Sequence, residues 1–277
     1  MEVLIAQNAK PVAMALKLLC GQCRNVWIEV KENGELYFYQ ITEANSGWME
    51  LHVSGDDCKV LSAAQYHGTP MFTVESKPVQ AAMRHVTTLK DTLAFTFHGD
   101  RMTINVGIAK EGSEPVSVDV PFLTDKPHVL DSSACNPQSC VSAVSHHPTK
   151  DLELLVKDAL KSGAKHVCFS AAASSAMQIK VGPNGCIASA RGGPALGGEY
   201  SASFHGDDLL YFLRNTLCAK VSMNIYDGLP LRLRYTFAST SRKKKVSAPP
   251  SRVHSPSRSA SEVAETSFSV FLTPGNE

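Results

Sequence analysis

Residues 3–53 read VLIAQNAKPVAMALKLLCGQCRNVWIEVKENGELYFYQITEANSGWMELHV, and the order of patterns in this stretch decides the fold. Val3 to Ala6 is a short apolar run, expected as a strand. From about Lys10 to Leu19 the period changes: Val12, Leu16 and Leu19 fall at i, i+4 and i+7, the single buried stripe of a helix. Pro11 suits the first turn of that helix, where an N–H has no partner to lose. Val26-Trp27-Ile28-Glu29-Val30 reads as a strand, Asn33-Gly34 as the positive-φ pair of a tight hairpin turn, and Leu36 to Tyr39 as the return strand. After the turn-rich Asn45-Ser46-Gly47, Met49, Leu51 and Val53 alternate with Trp48, Glu50 and His52, the mark of a half-buried third strand. The unit is strand, helix, strand, strand, strand.

The same order recurs along the chain. Met71 to Val74 is an expected strand, Pro78 opens a helix with Val79, Met83 and Val86 on one face, and Leu93–Phe97, Met102–Ile108 and Val116–Val120 are strands. The third copy runs from a strand at Cys140–Val144 through a helix at Asp151–Leu160, with Leu152, Leu155, Val156 and Leu160 apolar. It continues through strands at Val167–Ala172, Met177–Val181 and Cys186–Ala190. The fourth has a strand at Glu199–Phe204, a helix at Asp207–Leu217 capped by Asp207 or Asp208, and strands at Val221–Tyr226, Leu229–Phe237 and Phe268–Leu272. Four copies of about 50–65 residues each predict an α+β chain of two similar domains, each holding two β-α-β-β-β units. The expected boundaries are residues 1–121 for the first domain, 122–138 for a polar connector between copies two and three, and 139–277 for the second domain. Residues 239–267 interrupt the fourth copy with Arg242-Lys243-Lys244-Lys245, Pro249-Pro250 and Ser255-Pro256. So few apolar residues predict a disordered loop. Its basic run is a nuclear-import or DNA-contacting candidate, and Ser255 before a proline is a phosphorylation candidate.

The whole-chain numbers are permissive. Of 277 residues, 43% are hydrophobic, enough for two cores, and the net charge of +1 hides any local basic patch in a balanced sum. The eight cysteines come with no secretory leader, since Met1 to Ala6 is too short an apolar run. Reduced thiols in cytosol or nucleus are therefore expected. No apolar run approaches about 20 residues, so no membrane-spanning helix is expected.

This architecture resembles the sliding clamps of eukaryotes and archaea, namely proliferating cell nuclear antigen and the three subunits of the nine-one-one DNA-damage checkpoint clamp. Met71-Phe72-Thr73-Val74 leading into Pro78, Thr92 to Phe97, and Ser117-Val118-Asp119-Val120-Pro121-Phe122 look most like the Hus-type subunit of the checkpoint clamp. Phe268 to Pro274 fits both clamp types. The long loop before the last strand and the glycine-rich Gly192 to Gly198 depart from the Hus pattern. The resemblance implies a DNA-clamp fold with helices on the concave face and sheets outside, two other clamp subunits in a heterotrimer, and double-stranded DNA in the hole. It also implies an ATP-dependent clamp loader, repair or signalling proteins as partners, a nuclear location, and no enzymatic activity or cofactor. A homotrimeric replication clamp and an α+β enzyme with an unrecognised site stay open as alternatives.

A ring around DNA needs cations on the helix faces opposite the apolar stripes, making sequence-independent phosphate contacts. Lys10 and Lys17 are seven apart, as are Lys77 and Arg84; Lys150, Lys157 and Lys161 follow at i, i+7 and i+11, and the fourth helix offers Arg214. These eight are the DNA-facing candidates. Val129 and Leu130, apolar in a polar connector, and Pro274 past the last strand are the partner-binding candidates. Cys20-Gly21-Gln22-Cys23 has half the spacing of a zinc site but no second pair, and His146-His147 lacks a third ligand, so no metal is expected. The stretch Gly192 to Gly198 has no Lys-Ser/Thr ending and is not a phosphate loop. No nucleophile, base and acid group together in the sequence.

Overall fold

The computed structural model describes the chain except residues 6, 42–46, 63–69, 125–140, 172–177, 182–185, 190–199, 215–216, 227–229, 238–264 and 274–277. Of residues 141–147, 170–171, 178–181, 186–189, 200, 214 and 225–226 it describes the backbone alone. The first copy forms β1 (Glu2–Ile5), α1 (Ala9–Gly21), β2 (Asn25–Val30), β3 (Leu36–Ile41) and β4 (Gly47–Val53). An edge strand that the sequence pattern did not announce follows, β5 (Cys58–Ser62). The second copy is β6 (Met71–Glu75), α2 (Ser76–Met83), β7 (Thr92–Phe97), β8 (Arg101–Gly107) and β9 (Val116–Leu123). The third is β10 (Val141–Pro148), α3 (Thr149–Lys161), β11 (His166–Ala171), β12 (Gln178–Val181) and β13 (Cys186–Ser189). The fourth is β14 (Tyr200–His205), α4 (Gly206–Arg214), β15 (Lys220–Tyr226), β16 (Leu231–Thr236) and β17 (Ser267–Leu272).

All four copies therefore exist, but each is not a compact piece. The three strands after each helix pair in succession, whereas the first strand crosses to the sheet of its sister copy. Thus β1 pairs with β7, β6 with β2, β10 with β15 and β14 with β11, all antiparallel. The exchange makes the two copies of a domain dependent on each other, because a copy folded alone would lack the strand that completes its sheet.

The domains are also welded. β17 pairs with β4 over six residues, from Ser267 opposite His52 to Leu272 opposite Gly47, so one sheet of 13 strands runs through both domains. A Cβ on Gly47 would lie 1.9 Å from the Phe271 carbonyl oxygen, a separation only glycine permits. The strand expected to be half-buried is covered on both faces. Met49, Leu51 and Val53 enter the core, while Trp48 stacks on Phe271 at 4.1 Å and His52 on Tyr37 at 4.6 Å. Alternation alone marked Trp48 and His52 as outward; their cover comes partly from a strand more than 200 residues away.

The four helices form one layer on the sheets. Val12, Leu16 and Leu19 of α1 and Val79 and Met83 of α2 are fully buried, as are Val156 of α3 and Leu209 of α4. Val86, expected on the α2 stripe, is buried but lies past the helix end at Met83. Pro78 is the third residue of α2, and the α4 helix opens one residue before Asp207. The layer is continuous across the domain junction, where the Tyr211 hydroxyl of α4 donates to the Leu18 carbonyl of α1 at 3.3 Å.

Candidate nucleic-acid interface

The candidate interface is built from α1 upward. An amphipathic helix that spends Val12, Leu16 and Leu19 on the core must turn its remaining face outward, and Lys10 and Lys17 lie there, both half-buried along their stems. Helix α2 packs beside α1, and the Gln80 amide donates to the Lys17 carbonyl at 3.4 Å. Arg84, one turn after Gln80, caps the end of α2 and is exposed, as is Lys77 near its start. The Lys17 ammonium is held below its usual value by burial, and next by Arg84 and Lys10. Like charges from both helices thus act on Lys17. None of Lys10, Lys17, Lys77 and Arg84 makes an ion pair with a described residue. Crowded cations without carboxylates are held at a cost that an external polyanion relieves.

The second domain repeats the positions but not the environment. Lys150 and Lys157 are the second and ninth residues of α3, as Lys10 and Lys17 are of α1. Yet Lys157 pairs with Glu153 at 2.5 Å and Lys161 with Asp158 at 3.5 Å. Lys150 is exposed, and Arg214 ends α4 with only its backbone described. Val129, Leu130, Pro274, Arg242, Lys243, Lys244, Lys245 and Ser255 lie outside the described residues.

Cys20 is a buried thiol pushed well up by burial, and the Cys23 thiol donates to the Leu19 carbonyl at 2.9 Å and lies 3.5 Å from the Ser76 hydroxyl. Among the described residues no three His, Cys, Asp or Glu side chains converge as a metal site, and no helix is long and apolar enough to cross a membrane.

Sequence reading missed two features that bear on assembly. One is the inter-domain polar cluster beside the β4–β17 seam. There the Thr266 hydroxyl donates to Asp57 at 2.5 Å and accepts from the Ser54 N–H at 2.9 Å, and the Asn8 amide donates to the same Asp57 oxygen at 3.0 Å. The other is a pair of unpaired strand edges. β9 is bonded to β8 over Val116–Pro121 and to β6 only at Phe122 and Leu123, and β13 has β12 alone as a described neighbour. Edge status depends on what does not pair, which no local pattern records.

Two domains of exchanged β-α-β-β-β copies, a shared sheet layer and a continuous layer of four helices define the sliding-clamp fold. In the solved structures this chain is similar to the PCNA2–PCNA3 complex from Sulfolobus tokodaii, with a TM-score of 0.69 over 99% of each chain at 10% sequence identity. The expected α+β clamp fold is therefore the fold of this protein. No protein-family model matches the chain, and no curated protein matches it in sequence.

Proposed function

We propose that the chain is a non-catalytic subunit of a ring-shaped clamp that encircles double-stranded DNA and scaffolds repair and signalling proteins, of the Hus type within a heterotrimeric damage-checkpoint clamp. One observation carries the ring. Within its own copy the last strand, β4, β9, β13 or β17, is bonded on one side only. Within the chain, the last strands of copies one and four pair as the domain junction. Among the described residues, β9 over Val116–Pro121 and β13 have no second partner strand, one in each domain. Pairing β9 of one subunit with β13 of the next repeats the internal junction between chains. That contact is head-to-tail, and head-to-tail contacts close into rings when their rotation permits.

One fact favours unlike partners over self-assembly: a similar solved structure is a complex of two different clamp proteins, PCNA2 and PCNA3. The cations of α1 and α2 suit the DNA backbone, read without sequence preference. An ATP-dependent loader and a nuclear location complete the reading, with Arg242 to Lys245 as the import candidate; deleting residues 239–267 while following localisation tests that part.

The test of the whole reading is topological. Loaded with its partner subunits, the complex is expected to stay on closed circular DNA through a high-salt wash and to leave when the circle is cut. Equal retention on linear and circular DNA would refute encirclement. A purified chain that forms a stable trimeric ring alone would replace the checkpoint assignment with a homotrimeric replication clamp.

A further inference from the structure

The internal repeat permits a comparison that the net charge of the chain conceals. The helices of the first domain carry three cations, Lys10, Lys17 and Lys77, and no carboxylate; Arg84 stands at the C-cap of α2 and Glu75 at its N-cap. The helices of the second domain, α3 and α4, carry four cations, Lys150, Lys157, Lys161 and Arg214. They add five carboxylates: Asp151, Glu153, Asp158, Asp207 and Asp208. Placement sharpens the contrast. Glu153 sits one turn before Lys157 and binds it at 2.5 Å, and Asp158 sits three residues before Lys161 at 3.5 Å. The positions of Glu153 and Asp158 in α3 are held in α1 by Ala13 and Leu18, so α1 itself has no carboxylate to neutralise Lys17.

Resting on the DNA reading above, we infer that the two halves of the helix layer are unequal toward a polyanion: the α1–α2 pair holds the phosphate backbone, and the α3–α4 pair is neutral to repulsive. Two physical points support this. A cation already paired to a carboxylate brings little net charge to a phosphate and releases few counterions when it binds. Screening confines each charge to about 10 Å at ordinary salt, so the surplus of the first domain does not spread over the second. Helices α1 and α2 pack side by side, tied by the Gln80 bond to the Lys17 carbonyl, and Arg84 acts on Lys17 as a nearby like charge. On α3, Lys150 is the exposed cation without a described ion pair. A clamp built from such subunits holds its DNA by one half of each subunit, leaving the other half of each arc close to neutral.

The experiment measures binding of the full chain to a short double-stranded oligonucleotide by fluorescence anisotropy across a salt series. The slope of log affinity against log salt counts the phosphates neutralised. The variant K10Q/K17Q/K77Q/R84Q is expected to lose about tenfold or more in affinity at low salt and to flatten the slope. K150Q/E153Q/K157Q/D158N/K161Q, which removes both pairs whole, is expected to lose about twofold or less, because of its cations only Lys150 lacked a carboxylate partner. The variant E153Q/D158N adds a gain-of-function arm: by freeing Lys157 and Lys161 it is expected to raise affinity and steepen the slope. That arm does not suffer from loss of folding, and thermal unfolding of each variant checks the other two. Equal losses from the two lysine-removing variants, or no gain from E153Q/D158N, would overturn the asymmetry while leaving the DNA reading in place. A wild-type chain with no salt-dependent affinity for the duplex would overturn both.

Discussion

At the scale of single residues, a few buried polar groups set how this chain answers to acid. Asp91 is buried and accepts from the Thr87, Thr88 and Ala109 N–H groups at 2.7, 2.7 and 3.0 Å and from the Thr88 hydroxyl at 2.9 Å. These donors, that of Ala109 first, hold its carboxyl far below the usual range. A carboxylate so held adds stability that is present above its unfolded value of about 4 and lost as pH falls below it. Replacing it with D91N should cost roughly 2 kcal/mol at neutral pH and flatten the acid limb. His52 is also depressed, chiefly by burial, with the Glu35 carboxylate pulling the other way. Its ring stays neutral in the folded chain while the unfolded chain takes up a proton, so stability begins to fall below about pH 6.5. The variant H52Q should remove that earlier decline only. Urea unfolding at a series of pH values checks both; a D91N profile that parallels wild type below pH of about 4 would discard the Asp91 account. Thr266 is the third such group. T266V strips a partner from both Asp57 and the Ser54 N–H, and a loss of about 1–3 kcal/mol is expected by chemical denaturation.

At the scale of elements, the pattern of alternation told strand from helix well, because periods of 2.0 and 3.6 are properties of the local backbone. It found the four helices and all but one of the strands, and it placed Val12, Leu16 and Leu19 inward as observed. It failed at β5, whose exposed Lys59, Val60, Leu61 and Ser62 show no alternation of burial because the strand is a sheet edge. It also misjudged the outer face of β4. The edge of β9 gives the prediction that belongs to this scale. In an antiparallel ladder successive N–H groups point to opposite sides. Of two single prolines at Ser117 and Val118, one therefore breaks a bond to β8, and the other removes only an outward N–H. The first should lower thermal stability; the second should leave the monomer folded and abolish association with the neighbouring subunit in sedimentation. If both variants assemble normally, β9 is not the docking edge.

At the scale of the whole molecule, the 13-stranded sheet and the Tyr211–Leu18 contact bind the two domains through both layers, so unfolding is expected as one transition. Calorimetry would show it, and two separated peaks would contradict the welded junction. The amino-acid sequence by itself determined the succession of elements, the apolar stripe of each helix and the repetition of Lys10 and Lys17 as Lys150 and Lys157, because each depends on spacing along the chain. Only the tertiary structure decided which strands exchange between copies, that β4 meets β17, and that among the described residues β13 and most of β9 have one partner strand, because pairing is settled between segments far apart in sequence. It also decided the candidate site. Carboxylates are visible in any sequence, but whether Glu153 neutralises Lys157, and whether Arg84 stands beside Lys17, depends on distances that only the folded chain fixes.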